Sequence, residues 1–403
     1  IPRNYKMNDI NEILKQKGKP KVFFNTYKEN RKSFFVYEFD EEFFINQKGC
    51  FLNGKKINGN PFNILNDCIQ NWKKETDDIA CVGFLSYDLK GLLYPNINFS
   101  KKKDDVPLFW FGKPKKIFYV KNKYESDKIP EINSINSKNE YLKYKKNLEK
   151  IKNKLKSGDV YQVNYTYPKI FKTNNDIIEL FFYLSNISKP HYGWFFDINT
   201  IQILCFSPEQ FFTTNEKKIY SSPIKGTMKR SQDKIIDNYN KTILKNSIKD
   251  KAENLMITDL IRNDLGKICQ YGSIKVNEIF NIVSFETVHH MISKVSGILK
   301  SNINEIDIIK ALFPGGSITG APKESSMKII DNLENYSREI YTGSIGYIKS
   351  NGDMDFNIAI RTMLNKDGKL KYPVGGGIVW DSKIENEWEE TKTKAKILHS
   401  ITK

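Results

Sequence analysis

The sequence predicts a mixed α/β fold, and three observations carry that expectation. Residues 20–120 hold short runs rich in Phe, Tyr and Val, broken by Asn-Gly and Gly-Asn pairs such as the one in Phe51-Leu-Asn-Gly-Lys55, the pattern of strands joined by tight turns. Tyr144, Leu148, Ile151 and Leu155 recur at helical spacing inside a lysine-rich stretch. Glycines then gather at Gly315-Gly316, Gly320, Gly343, Gly346 and Gly375-Gly376-Gly377, where the backbone must turn tightly or come close to something else.

Taken in order, residues 1–120 form a strand-rich region expected to pack into the same fold as the rest. Residues 121–139 are polar, with Pro130 among Ser, Asn and Lys, and read as a connector. Residues 140–403 follow as the remaining region, in one continuous unit with what precedes. Its first helix ends at Ser157-Gly158 and delivers the chain into a strand in which Tyr161, Val163 and Tyr165 alternate with Gln162, Asn164 and Thr166, giving one apolar and one uncharged polar face. The later glycine loops hold anions or simply make turns. They are not a P-loop, because Gly315 and Gly320 are followed by Ala321 where that motif needs Lys.

Composition narrows the function classes. The chain has 403 residues, 39% of them hydrophobic, enough to bury a large core. No run of 18 uncharged apolar residues is present, so no membrane association is expected, and Ile1-Pro-Arg-Asn-Tyr-Lys6 has no signal-peptide pattern. The absent initiator Met is consistent with trimming of an upstream extension. Five scattered cysteines, Cys50, Cys68, Cys81, Cys205 and Cys269, form no Cys-x-x-Cys pair, which fits a reducing, cytoplasmic setting. The formal charge of +17 raises nucleic-acid binding as a rival class. The basic residues are interleaved with acids rather than gathered into an arm or stripe, so the charge is read as a solvated surface and a field favouring an anionic substrate.

Two segments carry acids three residues apart. Asp250 and Glu253 share a helical face, and Glu387 and Glu390 repeat the spacing. Such acids are either solvated helix faces or, where two helices face each other, oxygen ligands for a hard dication.

A set of motifs bears on that choice. Gly158-Asp-Val-Tyr-Gln-Val-Asn164, Ser207-Pro-Glu209, Pro223-Ile-Lys-Gly-Thr227, Glu253 through Asp259-Leu-Ile-Arg-Asn-Asp-Leu-Gly266, Thr287-Val-His-His290, Pro314 through Lys323, Asn357-Ile-Ala-Ile-Arg-Thr362 and Gly375 through Lys394 together resemble the chorismate-utilising enzymes. That family includes anthranilate, aminodeoxychorismate, isochorismate and salicylate synthases. The resemblance spans residues 140–403, with an echo at Gly83-Phe-Leu-Ser-Tyr-Asp88. It implies a large α/β sandwich of two opposed sheets flanked by helices.

The resemblance also implies roles. The lysine of Pro-Ile-Lys-Gly-Thr marks the aminodeoxychorismate synthase branch, where it is understood to be the nucleophile, and Lys225 holds that place. Anthranilate synthases usually have alanine there, and anthranilate synthase component I is the alternative reading. Gln162 stands where isochorismate and salicylate synthases carry the lysine that activates water. Glu209 matches the general acid for the departing 4-hydroxyl, although Gln210 follows it where the family often has Arg. Glu253 and Glu390 match direct Mg²⁺ ligands, with Asp250 and Glu387 behind them. Arg361 and Tyr341 match groups holding the enolpyruvyl carboxylate; Thr227, Lys394, Gly320, Ala321 and Gly377 match other substrate contacts; His290 matches a histidine near the reaction centre, and His289 is expected to be structural.

The implied reaction joins chorismate and ammonia to give 4-amino-4-deoxychorismate on the route to 4-aminobenzoate and folate. None of the five cysteines sits in Gly-x-Cys-x-Gly, and His-x-Glu is missing, so a separate glutamine amidotransferase subunit is the expected ammonia source.

Overall fold

A computed structural model of the protein describes residues 7–402 apart from residues 30, 101–105, 122, 125–128, 136–138, 199, 286–287 and 399. Thr287 of the Thr-Val-His-His motif and eight residues of the 121–139 connector therefore lie outside the described residues. Two antiparallel sheets carry the fold. The first runs Gly320–Ala321, Gln162–Lys172, Lys369–Ile378, Thr362–Lys366, Ile201–Ser207, Tyr192–Ile198, Val22–Asn25, Ser33–Val36 and Phe118–Val120, with Asn133–Ser134 added beside the 162–172 strand. The second runs Ile224–Lys229, Val288–Ile298, Lys218–Ser221, Gln210–Asn215, Met354–Ile358, Ser344–Lys349, Ile79–Leu85, Phe109–Pro114, Phe39–Asn46, Gly49–Leu52 and Lys55–Ile57, with Lys275–Ser284 on the 288–298 strand.

The sheets face one another and helices cover their outer sides, as the sequence predicts. The N-terminal strands read as unbroken apolar runs because both of their faces are buried. Val22, Phe24, Phe34 and Val36 point to the inter-sheet core with Phe84, Trp110, Trp194 and Ile345, whereas Phe23 and Phe35 point outward to Phe181 and Leu184 of helix Ile177–Ser188. The N-terminal strands form one end of each sheet and join the later strands along a single seam. Val22–Asn25 pairs with Tyr192–Ile198, and Ile79–Leu85 with Ser344–Lys349.

The expectation of sheet throughout 20–120 needs one correction. Pro61–Lys74 is a helix, because Asn60 caps the backbone amides of Phe62 and Asn63, Pro61 opens the first turn, and Phe62, Leu65, Ile69 and Trp72 recur on one buried face. A second correction concerns the strand after the first catalytic-region helix, Glu140–Lys156. Tyr161 is exposed and precedes the strand, and the polar face of Gln162, Asn164 and Thr166 is as buried as the apolar one.

Burying that polar face requires partners. Thr166 donates through both its amide and its hydroxyl to Glu334 at 2.8 Å, and Asn164 donates to the carbonyl of Ile318 at 3.1 Å. Arg338 closes the network: it grips Glu334 at 2.6 and 2.7 Å and donates to the carbonyls of Asn164 and Ile318 at 2.6 and 2.9 Å, with arginine and glutamate both buried. One guanidinium thus joins the 162–172 strand to the turn Gly316–Ile318.

Removing one member of a buried ion pair strands the other charge, which costs about 3–5 kcal/mol. Arg338→Ala is expected to lower unfolding free energy by that order in urea titration, and a loss below about 1 kcal/mol would show that the network is not a support.

Candidate functional site

Strand Ile224–Lys229 pairs with Val288–Ile298 but breaks register between Ile224 and Thr227. The bulge falls on Lys225 and Gly226, and Gly226 has φ +79°, a conformation that favours glycine. A Cβ at Gly226 would lie 2.9 Å from both Asp250 and Leu244, so the close helix packing also excludes a side chain. The bulge aims Lys225 away from its own ladder. Its Nζ lies 3.4 Å from the carbonyl of Ser317, a long hydrogen bond, and it makes no ion pair at bonding distance among the described residues.

What faces that amine is set by another strand. In Lys369–Ile378 the register places Gly377 opposite Asn164 and Gly376 opposite Tyr165. A Cβ on Gly377 would come within 2.9 Å of Gln162 Nε2 and 3.3 Å of Lys225 Nζ; one on Gly376 would come within 3.4–3.6 Å of Lys394 Nζ, Glu390 Oε1 and Glu387 Oε2. The bare backbone therefore keeps open the space that these groups border. Gln162 is fully buried, yet neither its amide nitrogen nor its carbonyl oxygen has a hydrogen-bond partner among the described residues. Burying a primary amide with nothing to bond costs about 1–3 kcal/mol per unmet group, so this side chain is prepared for a polar ligand. Its backbone is held by Ala321 across the ladder and by the Ser326 hydroxyl on its carbonyl.

Glu209 follows strand Ile201–Ser207 and is buried. Burial raises its pKa above the usual carboxylate range, opposed by a hydrogen bond to Ser317 and by the charges of Lys225 and Lys394. A raised carboxyl and an amine, both in contact with Ser317, are groups able to donate a proton and to attack as a base or nucleophile.

The four acids come together on two helices, Ile248–Gly266 and Ile384–Lys394. Lys249 bridges them, 3.3 Å from Glu387 and 3.8 Å from Glu253, and Lys394 pairs with Glu390 at 2.6 Å while donating to the carbonyl of Gly375 at 2.8 Å. Burial, together with repulsion from Asp250 and Glu387, raises the carboxyl of Glu253 despite the nearby Lys225 and Lys249; Lys394 lowers that of Glu390. Glu387 is the buried member of its pair and Glu390 the exposed one. Among the described residues no three acidic, histidine or cysteine side chains converge tightly enough to hold an ion alone. The set offers one or two oxygens, which is what Mg²⁺ usually takes from a protein when water and a substrate supply the rest.

A cationic end completes the site. Arg361 has φ +52°, a strained setting for a side-chain-bearing residue, and has no carboxylate partner among the described residues. Burial lowers its pKa and Tyr372 raises it, while Arg361 in turn acts on His290. His290 Nδ1 is 2.8 Å from the Thr227 hydroxyl, and Tyr341 is buried in the same wall, within electrostatic reach of Tyr372. Next to it, His289 ties Ser284 at 2.8 Å to Asp237 at 3.1 Å, a structural use.

Gln162, Lys225, Lys394, Glu387 and Glu390 are thus drawn to the glycine strand, while Arg361 is tied to His290 and, through Tyr372, to Tyr341. Sequence reasoning missed Ser317, which meets both Lys225 and Glu209 although it lies within the Pro314–Lys323 motif, and Lys249, which stands at the head of the first acidic segment. It also missed Lys323, whose buried amine pairs with Asp264 at 2.6 Å and donates to the carbonyl of Leu312, at the end of helix Glu305–Leu312, at 3.2 Å.

Comparison with known proteins was made on this geometry. A family model described as chorismate binding enzyme matches residues 20–400. Aminodeoxychorismate synthase component 1 of Salmonella typhimurium is 42% identical over 248 residues, 61% of this chain and 55% of that protein. Its namesake in Escherichia coli is 40% identical over 261 residues, 64% of this chain and 58% of that protein. The chain thus matches little more than half the length of these relatives. Anthranilate synthase component 1 of Saccharolobus solfataricus is 33% identical over 367 residues, 85% of this chain and 86% of that protein. Among solved structures, anthranilate synthase component I from Streptococcus pneumoniae has a TM-score of 0.79 at 24% identity, with 92% of each chain covered, a likeness of fold.

The buried histidine gives a pH prediction. Burial and Arg361 lower the pKa of His290 to about 3, whereas an unfolded chain binds that proton near pH 6.5. Between these values the unfolded state holds more protons, so stability falls as pH drops through that window, by about 2 kcal/mol from pH 7 to pH 5. His290→Gln is expected to remove that part of the difference in urea unfolding at the two pH values; an unchanged difference would mean that His290 titrates normally.

Proposed function

The chain belongs to the chorismate binding enzyme family, and from that premise we propose that it converts chorismate and ammonia to 4-amino-4-deoxychorismate with Lys225 as covalent nucleophile. The observation that carries this reading is the amine itself: a lysine nitrogen aimed by a backbone bulge, in no ion pair at bonding distance among the described residues, beside a buried carboxyl of raised pKa. An amine so placed attacks once neutral.

In the proposed sequence, Lys225 Nζ forms a bond to ring carbon 2. The electron pairs of the C1–C2 and C5–C6 double bonds move to C1–C6 and C4–C5, and the C4–O bond breaks. Glu209 gives its proton to the departing hydroxyl, which leaves as water, and its carboxylate takes up the surplus proton of the attacking amine. Ammonia then bonds to carbon 4, the double bonds shift back, and the C2–N bond breaks to return the amine to Lys225, with the carboxyl passing a proton from the incoming to the leaving nitrogen. Chorismate and ammonia give the aminated ring and water. Gln162 offers hydrogen bonds at the ring and no base for water, which favours nitrogen chemistry over hydration.

Arg361, with Tyr341 beside it, is suited to grip the enolpyruvyl carboxylate, because a guanidinium without a carboxylate partner binds such a group through two parallel hydrogen bonds. The residues fit Mg²⁺: Glu253 and Glu390 would hold it, with Asp250 and Glu387 behind, and its presence would relieve the like-charge crowding that raises Glu253. When bound, Mg²⁺ supplies a Lewis acid and template for the ring carboxylate.

Ammonia is proposed to come from a separate glutamine amidotransferase subunit. All five cysteines of this chain are buried and burial raises their thiols, those of Cys68 and Cys269 to about 11, so none is a poised thiolate.

Anthranilate synthase component I remains the second reading, favoured by the near full-length match to the Saccharolobus solfataricus protein. Incubation with chorismate, ammonium and Mg²⁺ separates the two. The expected product keeps its enolpyruvyl group; fluorescent anthranilate with released pyruvate would overturn the reading. In the same assay Glu253→Gln and Glu390→Gln are expected to raise the Mg²⁺ needed for half-activation by about 10-fold or more, and unchanged titrations in both would remove the ligand set.

A further inference from the structure

Lys323 and Asp264 stand where their helices least favour them. Lys323 is the first residue of helix Lys323–Leu333, the positive end of the helix dipole, and Asp264 lies in the last turn of helix Ile248–Gly266, the negative end. Both side chains are buried, and ammonium and carboxylate meet at 2.6 Å. A buried ion pair is weak evidence for stability, because desolvation offsets much of the attraction; a pair kept against both dipoles points to a need for fixed geometry.

The geometry it fixes is that of one loop. The same ammonium donates to the carbonyl of Leu312 at 3.2 Å, so it joins the two ends of loop 312–323 and anchors both to the helix that carries Asp250 and Glu253. Inside that loop Ser317 meets Lys225 and Glu209, and Gly320 and Ala321 pair with Val163 and Gln162. The loop lies close against the helix: a Cβ on Gly316 would come within 2.5 Å of the Leu260 side chain, one turn before Asp264 on the same face. From the opposite side Arg338 holds the Ile318 carbonyl. A small cavity lined by Asp264, Leu312, Ser317 and Glu209 leaves the turn without packed neighbours there, so packing alone does not stop it from shifting.

We propose that Lys323, anchored on Asp264, is a positioning residue for the reaction: by closing loop 312–323 it sets where Ser317 meets the Lys225 amine and the Glu209 carboxyl. The inference rests on the function proposed above for those two groups. Lys323 bonds to neither of them among the described residues and acts through the loop. Asp264 receives a second ammonium on its other oxygen, from the half-exposed Lys267 at 2.8 Å. The two lysines therefore separate charge from closure. Lys323→Met opens the loop and leaves Asp264 paired, whereas Lys267→Met removes a charge and leaves the loop closed.

The test uses the full chain. Hydrogen exchange of segment 313–322, with helix Glu140–Lys156 as internal reference, needs no substrate; the ammonium-driven kcat and its pH profile follow the reaction. In Lys323→Met the segment should exchange about tenfold or more faster relative to the reference helix. Its kcat should fall about ten- to hundredfold, the scale of a small misplacement of reacting groups. The Ser317 hydrogen bond favours the ionised form of Glu209, as do the charges of Lys225 and Lys394, which the substitution leaves in place. Losing that bond should move the high-pH limb of kcat, where the general acid is deprotonated, to higher pH. Lys267→Met should keep wild-type exchange, kcat and pH limb. Wild-type exchange of the segment or wild-type kcat in Lys323→Met would overturn the proposal, as would the same losses in Lys267→Met. So would a fall in kcat with the pH limb unmoved, or with exchange raised equally in the reference helix, since general loosening of the fold produces either. Failure of the wild-type chain to aminate chorismate with ammonium would instead strike the functional reading, and exchange would still decide whether Lys323 closes the loop.

Discussion

A strand that carries no side chains for three residues is the constraint on which the site depends. Gly375, Gly376 and Gly377 lie where Lys369–Ile378 pairs with Gln162–Lys172, and groups from three different elements approach their bare backbone: Gln162, Lys225, and Lys394 with the acids of helix Ile384–Lys394. Any Cβ at Gly377 would compete with the amine and the amide for the same few ångströms. The sandwich fixes that strand between two others, and the Arg338–Glu334 pair fixes its neighbour to the Gly316–Ile318 turn. Close backbone approach, held by a buried ionic network, thus creates the open space.

Charge is distributed around that space so that opposite demands coexist. In the site, four acids stand on two facing helices, without three of them meeting at one point among the described residues, and Lys249 and Lys394 pair with some of them. Arg361 is held in a strained backbone with no acid opposite it among the described residues, an arrangement that invites an anion. Ser317 touches both Lys225 and Glu209. The orphaned amide of Gln162 adds a cost that a bound polar ligand would repay.

Much of this was legible in the sequence because it is local. The helix of Tyr144, Leu148 and Ile151 shows its period, and Gly375-Gly376-Gly377 announces a backbone that something must approach. Helix Pro61–Lys74 was hidden by its aromatic and branched neighbours, although the Asn60 cap and Pro61 mark its start. The buried polar face of Gln162, Asn164 and Thr166 could not be foreseen, because alternation says which residues share a face and not what covers it. Ser317 and Lys249 were missed for a related reason: one meets Lys225 through its backbone carbonyl and Glu209 108 residues away in the chain, and the other acts through a pair 138 residues away.

The central claim is that Lys225 bonds to the ring. The direct measurement is mass spectrometry of the protein quenched after mixing with chorismate and Mg²⁺ in the absence of ammonia. The account predicts a gain equal to chorismate less one water, located on the peptide that contains Lys225, absent from Lys225→Ala and discharged by ammonium. No adduct on that peptide, together with full ammonium-driven turnover by Lys225→Ala, would contradict it.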